Sequence, residues 1–219
     1  MINLFRIFGD LSHLASIGIL LHTVRSTQSI DGISFKTQAL YALVFMTRYL
    51  DLFTWHWVSL YNFLMKVFFL ASSVYIVVLL QQFRTKNPIA YKEMVLQDTF
   101  KIHFLLLGSL VAGLCFHHRF TLLEILWSFS VWLESVAILP QLFMLSKSGR
   151  AQSLTVHYIF ALGLYRFLYI FNWIWRYVSE ARVDKIAVVA GIVQTAMYSD
   201  FFYIYYKKVI RGNAGNLPV

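Results

Sequence analysis

The stretch RYLDLFTWHW, from Arg48 to Trp57, places an arginine and an aspartate in an otherwise apolar run of helix length. A second stretch, RFLYIFNWIW from Arg166 to Trp175, has the same residue at five of the ten aligned positions. Corresponding charged segments in two halves of an apolar chain are typical of membrane proteins built from a repeat, with the ligand site between the repeats. The alternative is a chance match between two short aromatic-rich segments.

The composition of the 219-residue chain is that of an integral membrane protein. Hydrophobic residues make up 59% of it and charged residues only 13%, about half the share in soluble domains. Each helical crossing needs about 20 apolar residues, so the chain has room for about seven spans and for no separate soluble domain. The net charge of +9 does not by itself indicate nucleic acid, because in a membrane protein the position of each charge decides its role.

Seven apolar runs are predicted to cross the membrane as helices. In order they are Leu4–Val24, Lys36–Trp57, Leu60–Gln82, Ile102–Phe116, Leu122–Leu145, Leu154–Tyr177 and Lys185–Tyr206. The segment Phe83–Lys101, which contains Pro88 and several charged residues, is predicted to be the longest loop.

The repeat predicts an all-α fold of two parallel triple-helix bundles joined by a linking helix. The predicted parts of this single membrane domain are a first half, 1–82; a linker with the fourth helix, 83–120; a second half, 121–206; and a tail, 207–219. Most of the 19 basic residues fall on the same side as the tail, whereas Arg119, Arg182 and Lys185 fall on the opposite side. The positive-inside rule therefore predicts a cytoplasmic C-terminus and, after seven crossings, an N-terminus in the lumen or outside the cell.

Basic residues inside the predicted spans need an explanation, because each arginine at a helix centre costs about 2.5–3.5 kcal/mol on insertion scales. They are Arg6, Arg48, Lys66, Arg166 and Arg176. The acidic residues near them, too few to pair every basic group and every lumenal charge, are Asp10, Asp51, Glu124, Glu134 and Asp200. Excess positive charge favours an anion-binding cavity, and internal ion pairing is the alternative.

Helical spacing predicts polar stripes on the spans that carry these charges. On the sixth span the stripe comprises Tyr165, Tyr169, Asn172 and Arg176. Arg166 and Trp173 flank it. Arg6, Asp10 and His13 share a face of the first span, and Arg48 and Trp55 share a face of the second. An aromatic stripe alone is usually core or an interfacial belt. Arginine and asparagine within these stripes favour a binding site.

His13 is the residue of these stripes that can titrate between pH 5 and 8 without help from its surroundings. Its place among arginines and acids predicts a pH-sensitive site, and a histidine that only packs is the alternative. The chain contains no metal-ligand spacing and no catalytic motif. The sequence therefore predicts no enzyme activity, no metal and no cofactor, with protons as the linked ligand.

Four stretches carry a resemblance to a known family. They are MINLFRIFGDLSHL, RYLDLF, LEILWSFSVWLESVAILPQLFMLSKSG and ALGLYRFLYIFNWIWRY. Together they resemble the receptors for endoplasmic-reticulum (ER) retention signals, the KDEL or HDEL receptors. Pro140 and Gln141 further resemble the PQ dipeptide of the PQ-loop and sugar-transporter superfamily, whose two triple-helix bundles agree with the predicted repeat.

The resemblance implies a receptor that binds the C-terminal tetrapeptide of escaped ER lumenal proteins in the mildly acidic Golgi. It would return with them in coated vesicles and release them at neutral pH. Arg48 would bind the terminal carboxylate, with Tyr49 beside it. With the stripes, the implied signal-binding set is Arg6, Arg48, Tyr49, Trp55, Glu124, Trp127, Tyr165, Arg166, Tyr169, Asn172, Trp173 and Arg176. The implied pH-responsive network is His13, Asp51 and Glu134.

Other residues are expected to serve traffic and selectivity. Asp200 resembles an aspartate needed for retrograde movement, and the tail residues Lys207, Lys208 and Arg211 suit a signal for vesicle coats. Arg119 stands where animal relatives have an acid, so a signal beginning with an acid or histidine is expected to bind better than one beginning with lysine. The expected partners are retention signals, vesicle coats and the lipid bilayer, without nucleic acid. A transporter of a small anionic solute is the alternative function.

Overall fold

Helices form almost all of the structure, a computed structural model that describes residues 3–54, 59–148, 153–181 and 183–206. No strand occurs within these ranges. The helices are α1 (Leu4–Thr27), α2 (Phe35–Arg48), α3 (Leu60–Lys86), α4 (Pro88–Gln97), α5 (His103–Cys115), α6 (Leu122–Val136), α7 (Leu139–Ser148), α8 (Ser153–Glu180), α9 (Lys185–Met197) and α10 (Ser199–Tyr205). A short 3-10 helix, Leu50–Thr54, follows α2.

Three helical segments of the described chain are long and apolar enough to cross a membrane. They are Leu4–Thr27, Leu60–Lys86 and Leu122–Lys147, the last of which contains α6 and most of α7. Two shorter apolar helices are α5 and α9. The structure is therefore that of an all-helical protein with membrane character, and the arrangement of seven spans in two bundles stays a prediction.

The predicted loop Phe83–Lys101 contains a helix, so the loop prediction was wrong. Asn87 ends α3 and begins α4: its backbone N–H donates to the Phe83 carbonyl at 2.9 Å, and its side chain accepts the Ala90 N–H at 3.2 Å. Pro88 follows in the first turn of α4, where its missing N–H costs nothing. Pro88, which indicated a loop, therefore lies in the first turn of a helix that Asn87 caps.

The predicted second span does not continue as one helix to Trp57. Helix α2 ends at Arg48, and Leu52 then donates its backbone N–H to the Tyr49 carbonyl at 3.0 Å, a tighter turn of the 3-10 type. The sequence did not show this end of the helix, because the apolar run continues beyond Arg48 and neither glycine nor proline interrupts it. Arg48 and Trp55 therefore do not share a face of one helix, and Trp55 lies outside the described residues.

The predicted fifth and seventh spans each consist of two helices. The break between α6 and α7 falls at Ala137 and Ile138, just before Pro140. In a continuous helix the ring of Pro140 would clash with the carbonyl of Val136, and the helix would lose one hydrogen bond. The break between α9 and α10 falls at Tyr198, which is fully buried.

Contacts divide the chain into two compact units. One comprises Met1–Ile33 and Leu142–Val219, and the other comprises Ser34–Gln141. In the first, here called the α8 unit, α8 packs against α1, α9 and α10. In the second, the α2 unit, α2 packs against α3 and α6, α6 against α5, and α4 against α3. These units differ from the predicted halves of the repeat, because α1 belongs to the first half but is grouped here with α8 of the second half. The two halves stay a prediction.

Gly113 allows α5 and α6 to pack closely in the α2 unit. A Cβ atom at this position would lie 2.8 Å from the backbone nitrogen of Phe129 and 3.0 Å from its Cα. Because these are backbone atoms, helix α6 would have to move. We expect Gly113→Ala to lower the free energy of unfolding by about 1–3 kcal/mol, measured by unfolding of the detergent-solubilised protein.

Gly108 provides the matched control on the same helix. No atom lies within 4 Å of a Cβ placed there. Alanine favours a helix over glycine by about 1 kcal/mol, so Gly108→Ala is expected to preserve or raise stability. Equal losses in the two variants would contradict the close packing of α5 on α6.

Candidate functional site

Arg48, the last residue of α2, belongs to a buried ionic network in the α2 unit. It forms an ion pair with Glu134 of α6. Its Nε also donates to Ser130 Oγ at 3.0 Å, and an Nη donates to the Ser130 carbonyl at 2.8 Å. Glu134 is only 1% exposed. Ser130 and Glu134 are four residues apart and therefore face the same side of α6, which gives the guanidinium three acceptors on one helix.

Asp51 and Tyr49 lie beside Lys66 at the turn that follows α2. Lys66 of α3 forms an ion pair with Asp51, and its ammonium nitrogen lies 5.8 Å from the centroid of the Tyr49 ring, within the range of a cation–π contact. The Tyr49 ring stacks on Phe45 with centroids 5.6 Å apart. The structure therefore places Asp51 against Lys66, while Glu134 pairs with Arg48.

Polar residues of α1 and α8 meet in antiparallel order within the α8 unit. The Asn3 amide donates to Asn172 Oδ1 at 2.8 Å. The Tyr169 hydroxyl donates to Asp10 Oδ1 at 2.6 Å. Arg6 lies one turn before Asp10, with Nε 3.8 Å from Asp10 Oδ2. These contacts form a polar seam between two helices, and Asp10 joins a tyrosine and an arginine.

His13 continues this seam toward the middle of α1. Its ring lies 4.3 Å from the ring of Tyr165 and is tilted by only 8°, so the two rings stack. The Tyr165 hydroxyl accepts a hydrogen bond from Arg166 Nε at 2.8 Å. All three side chains are buried. His13 therefore packs on the ring of Tyr165, and Tyr165 in turn contacts the guanidinium of Arg166.

Gly9 explains why α1 approaches α8 so closely at Asp10. A Cβ at Gly9 would lie 2.8 Å from Tyr169 Cδ2 and 3.4 Å from the Tyr165 carbonyl oxygen. The absence of a side chain therefore leaves room for the Tyr169 ring, whose hydroxyl then reaches the neighbouring carboxylate.

Four of the five basic residues inside the predicted spans lie beside a carboxylate in the structure. Carboxylates lie within 4.0 Å of Arg6, Arg48 and Lys66, and Arg176 Nε lies 3.1 Å from Glu180. Glu180 belongs to the last turn of α8, three residues beyond the predicted end of the sixth span at Tyr177. Internal ion pairing, the alternative reading of these charges, describes these four residues.

The remaining predicted site residues are spread over several helices. Glu124 lies half-buried in the first turn of α6, Trp127 is half-buried with its ring 5.9 Å from that of His118, and Trp173 is buried. Arg119 is exposed, and Asp200 is exposed in the first turn of α10. Like Trp55, the tail residues Lys207, Lys208 and Arg211 lie outside the described residues.

Sequence reasoning missed Ser130 and Asn3. The spacing of four residues between Ser130 and Glu134 could have indicated a shared helical face, because the second residue was already a candidate. Asn3 precedes the predicted first span, and no pattern in the sequence pointed to its bond with Asn172. Its side chain caps α1 by accepting the Arg6 N–H at 2.9 Å.

The fold and these clusters define an α-helical membrane protein with ionic groups buried inside its helical units. The chain belongs to the ER lumen protein retaining receptor family, whose model matches residues 29–176. It is 68% identical over 217 residues, 99% of each chain, to the ER lumen protein-retaining receptor of Saccharomyces cerevisiae. Identity is 63% over 211 residues, 96% of each chain, with that of Kluyveromyces lactis. It is 55% over 218 residues, 99% of each chain, with ER lumen protein-retaining receptor 2 of Homo sapiens. The resemblance seen in the sequence is confirmed.

Proposed function

We propose that this protein is a receptor that binds the C-terminal HDEL- or KDEL-type tetrapeptide of escaped ER lumenal proteins in the Golgi and returns them to the ER. The names of the relatives support a role in retention. The observation that carries the chemistry is Arg48, whose guanidinium already binds a carboxylate, that of Glu134. A free C-terminal carboxylate has the same charge and shape, so this arginine can bind it through the same kind of hydrogen-bonded ion pair.

The α8 unit supplies arginines for the acidic side chains of the signal. The side chain of Arg6 is 28% exposed and that of Arg176 is 38% exposed. A guanidinium has five N–H donors, so an arginine with one carboxylate partner can donate to another anion. Arg166 is the third proposed contact of this kind. Further residues proposed to line the site are Tyr49, Trp55, Glu124, Trp127, Tyr165, Tyr169, Asn172 and Trp173.

A membrane arrangement accompanies this proposal. Seven spans in two parallel triple-helix bundles, a lumenal N-terminus and a cytoplasmic C-terminus agree with the distribution of basic residues. Asp200, Lys207, Lys208 and Arg211 are proposed to serve return traffic through vesicle coats. Steady-state localisation of a Lys207→Ser, Lys208→Ser receptor tests this role, since an unchanged distribution would leave these lysines as determinants of topology alone.

Retention in cells tests the proposed function. In cells that lack their own receptor, this protein is expected to retain a secreted reporter ending in HDEL and to leave the same reporter without the tetrapeptide in the medium. A transporter of a small anionic solute is the second candidate, because the helix break before Pro140 and Gln141 fits a superfamily that includes carriers. Solute uptake into proteoliposomes without reporter retention would favour the transporter.

Signal binding is expected to weaken as pH rises, through His13. The imidazolium form adds a positive charge on a ring that stacks on Tyr165, the hydrogen-bond partner of Arg166, and so favours an anionic signal. Affinity is therefore full where histidine is protonated and falls above that range. Typical couplings between two ligands are about 5- to 150-fold, and we expect a loss in this range between pH 5.5 and 7.2. His13→Ala should bind equally at both pH values.

Glu134 provides the competing explanation for a pH response. If the pH dependence survives in His13→Ala and disappears in Glu134→Gln, the titrating group is the carboxylate beside Arg48. Asp51, the third residue of the implied pH-responsive network, is exposed and paired with Lys66. Asp51→Asn tests its part in that network and is expected to leave the pH profile unchanged if His13 alone sets it.

Arg119 is proposed to set the preference for the first residue of the signal. A unit charge at ~6 Å is worth about 0.7–3 kcal/mol at an effective dielectric of 80 to 20. Because Arg119 is exposed, we expect the lower value, and reversal of the charge in Arg119→Asp doubles it. In competition binding the affinity for KDEL should therefore rise about tenfold and that for DDEL fall about tenfold, so that their ratio changes about 100-fold. An unchanged ranking would show that solvent screens this charge.

A further inference from the structure

Helix α4 is attached at both ends to the helices of the α2 unit. At its start, only Asn87 separates it from the last residue of α3. At its end, the buried Asp98 accepts hydrogen bonds on Oδ2 from Ser34 Oγ at 2.9 Å and from the Lys36 backbone N–H at 2.8 Å. The Lys36 ammonium donates to the Phe100 carbonyl at 2.8 Å. These bonds fix α4 beside the end of α3 and the start of α2.

One side of α4 is apolar and exposed. Ile89 is 73% exposed and Leu96 is 74% exposed, and they lie about 20° apart around the helix. Val95 is 50% exposed but lies about 100° from Leu96 around the helix, so it is not part of this face. Met94, on the opposite side, is 3% exposed. The helix therefore packs on its unit through one face and leaves a second apolar face uncovered.

Exposed basic residues accompany this apolar face. Arg84 and Lys86 lie in the last turn of α3, and Lys92 lies on α4 about 60° from Ile89. The exposed Glu93 lies about 40° from Ile89, on the side away from Lys92, so three basic residues accompany one acidic residue and positive charge is in excess here. Because α3 is long and apolar enough to cross a membrane, its last turn lies at the level of the lipid headgroups.

We propose that α4 is an interfacial helix that inserts Ile89 and Leu96 among the lipid chains and binds anionic phospholipid headgroups through Arg84, Lys86 and Lys92. An apolar face with flanking lysine and arginine is the pattern of helices that lie in the membrane plane. Each basic residue near an anionic membrane surface contributes about fivefold to binding. This surface requires only that α3 spans the membrane, and it is independent of retention-signal binding.

The depth of α4 is measured with a nitroxide label in the full-length protein reconstituted in vesicles. Cys115 is exposed and is first replaced by serine, which leaves one introduced cysteine per variant. Oxygen concentrates among the lipid chains, whereas a water-soluble nickel complex stays outside them. The spin relaxation of a label at Leu96→Cys is therefore expected to be faster with oxygen than with the nickel complex. A label at Gln97→Cys, exposed but turned by about 100°, is the control and should show the reverse. Equal nickel accessibility at both positions would overturn the insertion.

Headgroup binding is measured separately on the Arg84→Gln, Lys86→Gln, Lys92→Gln variant. Wild-type and variant proteins are extracted from vesicles of phosphatidylcholine mixed with either phosphatidylserine or a phosphoinositide, and the bound lipids are counted by native mass spectrometry. We expect the enrichment of anionic lipid over phosphatidylcholine among the bound lipids to be at least about fivefold lower in the variant than in the wild type. Lys185→Gln, at the start of α9, is the control with one basic residue removed elsewhere. Unchanged enrichment in the triple variant would overturn the proposal.

Discussion

Arg48→Ala is expected to abolish measurable binding of a retention-signal peptide at pH 5.5. Removal of one partner from a buried, hydrogen-bonded charge pair between two molecules costs about 2–5 kcal/mol or more, which corresponds to at least roughly 30-fold in affinity. The peptide carboxylate would lose the guanidinium that the structure holds between α2 and α6. Calorimetric titration of the purified variant measures this loss.

The ion pair with Glu134 changes how this variant must be controlled. Arg48→Ala leaves the Glu134 carboxylate buried without its guanidinium, which costs about 3–5 kcal/mol in other proteins. Lost binding could then reflect lost folding. The double variant Arg48→Ala, Glu134→Gln removes both charges and is expected to recover most of the stability while binding stays lost. Binding by the stable double variant would show that Arg48 does not hold the signal.

Asp10→Ala is expected to destabilise the α8 unit by about 3 kcal/mol, the lower end for breaking a buried charged pair. Asp10 is 7% exposed. Its carboxylate accepts the Tyr169 hydroxyl and lies beside Arg6, so the substitution affects both contacts of the seam between α1 and α8. Thermal unfolding of the detergent-solubilised protein measures the change.

A double-mutant cycle assigns this loss to a specific contact. Tyr169→Phe removes the hydroxyl and keeps the ring that packs at Gly9. A hydrogen bond to a charged group contributes about 1.5–3 kcal/mol, so the two substitutions should be less destabilising together than their sum. Tyr177→Phe, at a position that is 66% exposed, is the control and should change stability by less than about 0.5 kcal/mol. Additive losses would contradict a direct contact.

Much of the helical content and the polar faces could be predicted from the sequence. Apolar runs identified the helices α1, α3, α5 and α8, because a membrane helix requires a long stretch without interruption. The spacing of Asp10 and His13 on one helix, and of Tyr165 and Tyr169 on another, placed each pair on one face. The structure brings these two faces together through a hydrogen bond and a ring stack.

The partners of each charge could not be predicted in this way. Spacing shows which residues share a helix face, but it does not show which other helix covers that face. The pairing of Arg48 with Glu134 joins residues far apart in the sequence, and it depends on how α2 packs against α6. The helix α4 was missed because Asn87 and Pro88 indicate equally a loop or a capped helix start.

A receptor that recognises the free C-terminal carboxylate of its signal should bind an amidated peptide poorly. The purified receptor is titrated at pH 5.5 with a peptide ending in HDEL, either as the free acid or as the amide. We expect the amide to bind at least roughly 30-fold more weakly to the wild type. The Arg48→Ala, Glu134→Gln variant should not distinguish the two peptides. Equal affinity of the wild-type receptor for acid and amide would show that the free carboxylate is not recognised.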